Sequence, residues 1–200
     1  MLTFLCAVIL AGLVITLARA QQATVEVVPA SYTVPNVGLT FNVNVTIQNV
    51  ENLTGYQFDL YYPNDILNGT SVTEGPFLKA GGTSTFFDLA EFTDDYNTTC
   101  GVVNVLDLNE NDTGVSGSGT LVTITFKSTS TNGTGTLNLA GVMLSDPNGG
   151  PISFTSADGE VTVVSEFPLG LLLPLLMALT LVALALGKKI RNHRIIFHSV

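Results

Sequence analysis

Residues Leu39–Val50 read LTFNVNVTIQNV. Phe41, Val43, Val45 and Ile47 alternate with Asn42, Asn44, Thr46 and Gln48, a period of two held over eight residues. Successive side chains of a strand point to opposite faces, so this stretch has one apolar face and one wet face. That is the pattern of an antiparallel sheet covering a core on one side. Upstream, Pro35-Asn36-Val37-Gly38 forms a turn, and ATVEVVP (23–29) reads as a short edge strand stopped by Pro29. Downstream, Asn52–Gly55 turns the chain and YQFDLYY (56–62) repeats the alternation. Phe58, Leu60 and Tyr62 face in; Gln57, Asp59 and Tyr61 face out.

The rest of the chain continues in the same manner. Between Ile66 and Tyr96, the aromatics Phe77, Phe86, Phe87 and Phe92 are too many for a loose loop, so short strands and packed turns are expected there. CGVVNVLDL (100–108) is a strand, NENDTGVSGSG (109–119) a long polar loop, and TLVTITFKS (120–128) a strand with Val122, Ile124 and Phe126 inward. TNGTG is a hairpin signal leading into TLNLAGVMLSD, and GEVTVVS closes the domain. About nine short strands with no amphipathic helix between them specify a β-sandwich.

Both ends of the chain differ from this middle. Leu2–Leu17 is apolar and is followed by Ala18-Arg19-Ala20, the small-x-small form of a signal peptidase site, so residues 1–20 read as a signal peptide. Near the other end, residues 167–186 carry no charge. A helix of about 20 residues at about 1.5 Å each spans the roughly 30 Å hydrocarbon core of a bilayer. Pro174 lies near one end of this run, where neighbouring groups satisfy the carbonyl it frees. Glu166 precedes the run, while Lys188, Lys189, Arg191 and Arg194 follow it. Positive residues stay inside, so 187–200 is expected to be a basic cytoplasmic tail and the domain at 23–164 to face outward from the cell membrane. The competing reading, a buried core helix, fails because nothing else in the chain is helical enough to surround it.

Charge narrows the partners. All 16 Asp and Glu lie between Glu26 and Glu166, and only Lys79 and Lys127 oppose them there, a net −14. Phosphate binding needs the opposite sign, which excludes a nucleic-acid partner. The acidic balance is that of a solvated, exported surface, with cation binding or a saline habitat as the competing explanations. With Cys6 in the signal segment, Cys100 has no partner for a disulfide and reads as a small packed side chain. Six Asn-x-Thr sequons at Asn44, Asn52, Asn68, Asn97, Asn111 and Asn132 are glycosylation candidates of a secreted chain.

Taken in order, LTFNVNVTIQNV, GYQFDLYYPNDIL, VTEGPFL, GVSGSGTLVTITF, TLNLAGVMLSD and DGEVTV resemble a cohesin domain over nearly all of Ala23–Val164. The resemblance implies a nine-stranded jelly-roll sandwich, related in fold to carbohydrate-binding modules. It also implies a docking module that binds dockerin-like domains on secreted proteins of the polysaccharide-degrading machinery. A single such domain ahead of a membrane anchor is similar to surface attachment proteins. In the family the strand matching GYQFDLYYP offers outward residues to the partner, which here are Gly55, Gln57, Asp59 and Tyr61. Gly55 and Gln57 stand where cohesins of the best-known type have Asn and Asp.

Catalytic chemistry is poorly supported. His193 and His198 both fall in the tail, so the domain has no histidine for a Ser-His-Asp triad or a metal site. Asp107, Asn109, Asn111 and Asp112 mimic calcium-loop spacing, but Asp112 occupies the position of the required Gly and Ser118 that of the closing Glu. A solvated turn is the expectation there, with no metal and no cofactor. Two alternatives to docking stay open: direct polysaccharide binding, for which Tyr56 and Tyr61 are the available aromatics, and a structural or adhesive surface domain.

Overall fold

The structure, a computed structural model, describes residues 22–82, 84–89, 92–164, 173–184 and 186. The chain falls into two units, one through Val164 and one from Ser165. In the first, eleven strands are described: β1 (Ala23–Val28), β2 (Ser31–Val34), β3 (Thr40–Leu53), β4 (Gly55–Pro63), β5 (Leu67–Glu74), β6 (Thr85–Leu89), β7 (Cys100–Asn109), β8 (Val115–Ser128), β9 (Gly133–Ser145), β10 (Phe154–Ala157) and β11 (Gly159–Val163). They form a five-stranded sheet in the order β10-β1-β3-β8-β5 and a six-stranded sheet in the order β2-β11-β9-β4-β7-β6. The all-β sandwich is therefore as expected, but the count of nine strands is corrected to eleven.

The additional strands have a common character. β2 pairs in parallel with β11, and β10 in parallel with β1. Each is only four residues long, too short to sustain an apolar alternation: β2 turns Tyr32 and Val34 inward, and β10 is exposed beyond the half-buried Phe154. Their neighbours hold them, so they leave little trace in the pattern. β1 is consequently not an edge strand: β10 lies on one side of it and β3 on the other. The expected loop at 109–119 is also shorter than its composition suggests. Val115–Gly119 already belongs to β8 and pairs with the end of β3 across a series of bulges. There, Ser118 Oγ accepts from Asn49 N at 3.0 Å and Ser116 Oγ accepts from Asn52 N at 2.8 Å. The serines thus satisfy amides that the bulges remove from the ladder.

The alternation places the core. Val43, Val45 and Ile47 from β3 meet Val122 and Ile124 of β8, with Phe58, Leu60 and Tyr62 of β4 contributed by the facing sheet, and all are essentially inaccessible to solvent. Burial of each such side chain stabilises the fold by roughly 1.5–3 kcal/mol. Tyr62 stacks obliquely on Phe126 with ring centroids 5.0 Å apart, and Phe92 meets both rings edge-on. The Tyr62 hydroxyl donates to Asp94 Oδ1 at 2.5 Å. Phe77 is buried and Phe87 and Phe92 pack against the core, as their density predicts; Phe86 instead points outward.

The second unit is described in part. Residues 173–184 are helical, and no described helix is long and apolar enough to cross a membrane. Residues 1–20, 167–172 and 187–200 lie outside the described residues, so the signal peptide, the start of the expected membrane segment and the basic tail do as well.

Candidate interaction face

β4 runs through the interior of the six-stranded sheet, paired with β9 on one side and β7 on the other. Its inward row builds the core, which leaves the outward row free to meet a partner. Gln57 is exposed and Asp59 and Tyr61 are half-buried, whereas Gly55 is buried. A Cβ added at Gly55 would stand 2.4 Å from Leu108 Cδ2 and 3.1 Å from Ser145 Oγ. Gly55 thus contributes bare backbone over which a neighbouring side chain lies, and it presents nothing of its own.

Each outward residue of β4 has neighbours on both sides. Asp59 is opposite Asn104 and Ala140, and its Oδ1 accepts from Asn104 Nδ2 at 2.5 Å. Gln57 is opposite Leu106 and Met143. Tyr61 meets Tyr96 in an edge arrangement, centroids 5.5 Å apart. Two shallow depressions open on the face. One, of about 230 Å³, is lined by Gln57, Asp59, Asp88, Asn104 and Leu106 among others; the second, of about 180 Å³, by Gly55, Gln57, Leu106, Leu108, Met143 and Ser145 with Tyr56.

Reading β4 alone misses Phe86, Asp88, Asn104, Leu106, Leu108, Tyr96 and Met143. The signal that finds part of this set is β7 itself. Its inward row is Val103, Val105 and Asp107, yet the opposite row, Val102, Asn104, Leu106 and Leu108, is apolar at every position but Asn104. A strand so largely apolar on its second face suits one that is at least partly covered there. Thr93 bridges to Val102 and covers one end of that row; the other end stays open.

Several expectations shift in place or character. Tyr56 is buried, and its hydroxyl donates to Leu121 O at 2.9 Å, so it cannot serve as an exposed aromatic platform. Burial pushes its phenol far above the ordinary range. Asp107 and Asn109 are buried residues of β7 rather than members of a solvated turn. The turn itself is limited to residues 110–111. Asn109 accepts from Asn111 N at 3.0 Å and donates to Thr113 O at 3.0 Å, which closes the turn on itself. Among the described residues no group of three or more His, Cys, Asp or Glu is arranged to hold a metal ion.

The sequons sort by sheet. Asn44 faces outward on β3 and accepts from the Thr123 hydroxyl at 2.7 Å; Asn68 is on β5, and Asn52 near the end of β3 has φ of 57°. Asn97, Asn111 and Asn132 lie in loops, and Asn97 Oδ1 accepts from the backbone of Thr99 and Cys100 at 2.9 and 2.8 Å. None of the six lies in a strand of the six-stranded sheet. A sugar on Asn44 would stand on the opposite sheet from β4.

Residues 25–163 match the model of the cohesin domain. Solved structures of similar shape include a non-cellulosomal cohesin from the hyperthermophilic archaeon Archaeoglobus fulgidus, 23% identical, covering 72% of this chain and 93% of that one with a TM-score of 0.57. A cohesin in a type I cohesin–dockerin complex from Clostridium thermocellum is 14% identical, covering 74% and 97%, with a TM-score of 0.55. The sixth cohesin of scaffoldin B from Acetivibrio cellulolyticus, in complex with a dockerin, is 15% identical, covering 73% and 100%, with a TM-score of 0.57. No curated protein sequence matches the chain.

Proposed function

The chain belongs to the cohesin family, and from that premise we propose that it is a membrane-anchored surface module that docks dockerin-bearing secreted proteins. The observation that carries this reading is the position of β4, interior to its sheet with Gln57, Asp59 and Tyr61 on the uncovered side. Cohesins of similar shape from Clostridium thermocellum and Acetivibrio cellulolyticus are seen in complex with dockerins. The role is non-catalytic, and the docked proteins would serve extracellular polysaccharide binding and breakdown.

Tyr61 is the proposed anchor. A tyrosine supplies large contact area at low entropic cost together with a hydroxyl, which is why it is enriched at interfaces. Tyr61→Ala is expected to lower affinity by about 2 kcal/mol, roughly thirtyfold, without a matching fall in melting temperature. Asp59→Ala has a smaller effect that shrinks as salt rises, because its charge acts mainly on encounter. Calorimetric titration against a dockerin recovered from the organism's secreted proteins measures both. Unchanged affinity in both variants moves the interface off β4.

Anchoring is proposed on the apolar run. Within the described helix, Leu175, Leu179 and Val182 are exposed, as are Leu173, Leu176 and Leu181 on its other sides. A helix apolar all round suits lipid better than water. With the Lys188–Arg194 cluster inside, protease added to intact cells should remove the domain and spare the tail. Protection of the domain would reverse the topology. The six sequons make the exported domain a candidate glycoprotein; sugars on Asn44, Asn52 and Asn68 would stand on the sheet opposite β4, whereas Asn97 adjoins Tyr96 at the end of the β4 face.

Direct polysaccharide binding is the second reading, favoured by the exposed Tyr96 beside Tyr61. It is the weaker one, because the two rings meet edge-on rather than forming a flat platform and Tyr56 is buried. Sedimentation of the domain with insoluble polysaccharide, in the absence of any dockerin, would support it over docking.

A further inference from the structure

Among the described residues, the large hydrophobic side chains that the sandwich exposes fall into two sets. Phe86, Tyr96, Leu108 and Met143 belong to the β4 face, while Val37, Leu39 and Val164 do not. Val37 is 48% exposed, Leu39 42% and Val164 36%. Strand pairing puts these three at one end of the sandwich. Val34, the last residue of β2, is beside Val163 of β11, and Val164 N donates to Val34 O at 2.9 Å. Residues 35–39 then cross from β2 to β3 as a turn, with Gly38 at φ of 83°. The turn is held, not loose. Gly38 N donates to Ser128 O and Ser128 N to Leu39 O, each at 2.9 Å, and Ser128 Oγ donates to Asn36 O at 2.8 Å. β8 thus satisfies the backbone of the turn and leaves Val37 and Leu39 on the outside. A turn that meets water is ordinarily polar; this one reads PNVGL, with Asn36 its only polar side chain.

The chain leaves the domain at this same end. The uncharged run begins at residue 167, three residues after Val164. Three residues reach at most about 11 Å even when fully extended. A bilayer of roughly 40–45 Å around a core of about 30 Å has roughly 5–7 Å of headgroup layer on each side. With the run entering the core at its first residue, Val164 stands within that layer or just above it, and Val34 ties the 35–39 turn to Val164. Charge divides the end in the same sense. Lys127 is exposed opposite Thr40, at the start of β3, and forms no ion pair among the described residues. The acidic residues of this end are Asp65, between β4 and β5, and Asp94 and Asp95, ahead of β7. In the sheet order β9 separates β4 and β7 from β11, so the acids lie away from the point where the chain departs.

Resting on the anchoring reading above, we propose that the 35–39 turn together with Val164 is a membrane-contact tip whose ligand is a phospholipid surface. Val37 and Leu39 enter the headgroup layer, Lys127 meets lipid phosphate beside them, and the acidic side of the same end stays in water. Three side chains are too few for a protein interface, which takes roughly 800 Å² from each partner. They suffice against a surface to which the chain is already tethered, because the tether makes the contact intramolecular. The tip lies at an end of the strands and not on a sheet, so a domain standing on it keeps the β4 face open to partners.

The chain contains no tryptophan, so a single introduced indole reports its own surroundings. The experiment places Val37→Trp, Asp65→Trp and Asn148→Trp, one at a time, in the full chain reconstituted in phosphatidylcholine vesicles, with and without bromine in the upper acyl chains. Asp65 is on the acidic side of the same end, and Asn148 is exposed in the turn after β9, at the opposite end of the strands. The Val37→Trp indole is expected to emit at shorter wavelength than the other two and to be quenched by bromine, from a depth of about 5–10 Å into the boundary of headgroups and acyl chains. Asp65→Trp and Asn148→Trp should emit as in water. All three carry the same indole, so its own preference for membrane interfaces cancels. Thermal melts must match the parent, and Leu39→Trp replaces Val37→Trp if that variant fails to fold. Flotation with the vesicles separates the two readings. A chain that floats while Val37→Trp emits as in water overturns the tip and leaves anchoring standing; a chain that does not float overturns both. Short-wavelength emission that bromine leaves unquenched would make a protein surface, such as a second copy, the cover and overturn the lipid. Equal quenching at all three positions would mean that the domain adheres without a preferred end, and overturns the tip as well.

Discussion

Val45→Asp is expected to abolish folding of the sandwich, whereas Asn44→Asp, one residue away, leaves it close to the parent. Val45 is fully buried and paired with Val27 on one side and Val122 on the other. Removing its side chain forfeits roughly 1.5–3 kcal/mol of apolar burial. Placing a carboxyl among those valines without a hydrogen-bond partner adds roughly 2–7 kcal/mol, even if the group takes up a proton to avoid carrying charge. Together these rival the roughly 5–15 kcal/mol that hold a domain folded. Asn44 faces the other way, and its Oδ1 accepts from the Thr123 hydroxyl. A carboxylate oxygen accepts that bond equally well, so Asn44→Asp should change stability by about 1 kcal/mol or less. Denaturant unfolding of the fragment Gln21–Val164 decides the matter. Equal losses in both variants would mean that β3 has been placed in the wrong register.

β3 as far as Gln48 and β4 were legible because their alternation runs unbroken there and each buries one face. β2 and β10 were not, because four residues held by a parallel neighbour are too few to show a period. Val115–Gly119 misleads for a different reason. Its glycines and serines have loop composition, but Ser116 and Ser118 are needed to satisfy amides freed by the bulges in β3. In the candidate site, the outward parity of Gln57, Asp59 and Tyr61 follows from the sequence of β4. The residues that give the face its chemistry come from β6, β7 and β9, and only the register brings Phe86, Leu108 and Met143 beside Gly55. A family pattern placed at Gly55 describes the strand correctly and the surface poorly, since Leu108 covers that position. Asp107 was open to a better reading. It shares the parity of Val103 and Val105, so a strand assignment alone directs it into the core rather than into a calcium-like loop.

That inward carboxyl is the basis of the second large effect: Asp107→Asn is expected to stabilise the domain strongly at pH 8 and hardly at all at pH 4. Asp107 is fully buried, and neither of its oxygens has a hydrogen-bond partner. Burial above all, and then the charge of Glu74, push its carboxyl up from 3.8 to about 7, with Tyr56, Lys79 and the Leu108 amide opposing more weakly. Tyr56 already gives its one proton to Leu121 O. The neutral form of Asp107 is therefore the form suited to this pair, since it can donate to the tyrosine oxygen while the carboxylate has no proton to receive from it. A carboxyl that holds its proton more tightly folded than unfolded makes the folded state the greater proton binder between the two values. Stability from this group is accordingly complete below about pH 4 and falls as pH rises, levelling off above about pH 7. At about 1.4 kcal/mol per pH unit, the loss across that window is on the order of 4 kcal/mol. The amide that replaces the carboxyl in the variant has the shape of the neutral acid and does not ionise, so the variant lacks this loss. Other carboxylates titrate in both proteins, and the difference between the two stability–pH curves isolates Asp107. It should be near zero at pH 4, grow through pH 5 and 6, and stay constant beyond about pH 7.5. Parallel curves would show that Asp107 keeps an ordinary affinity for its proton, and with it that water or a cation reaches this end of the core.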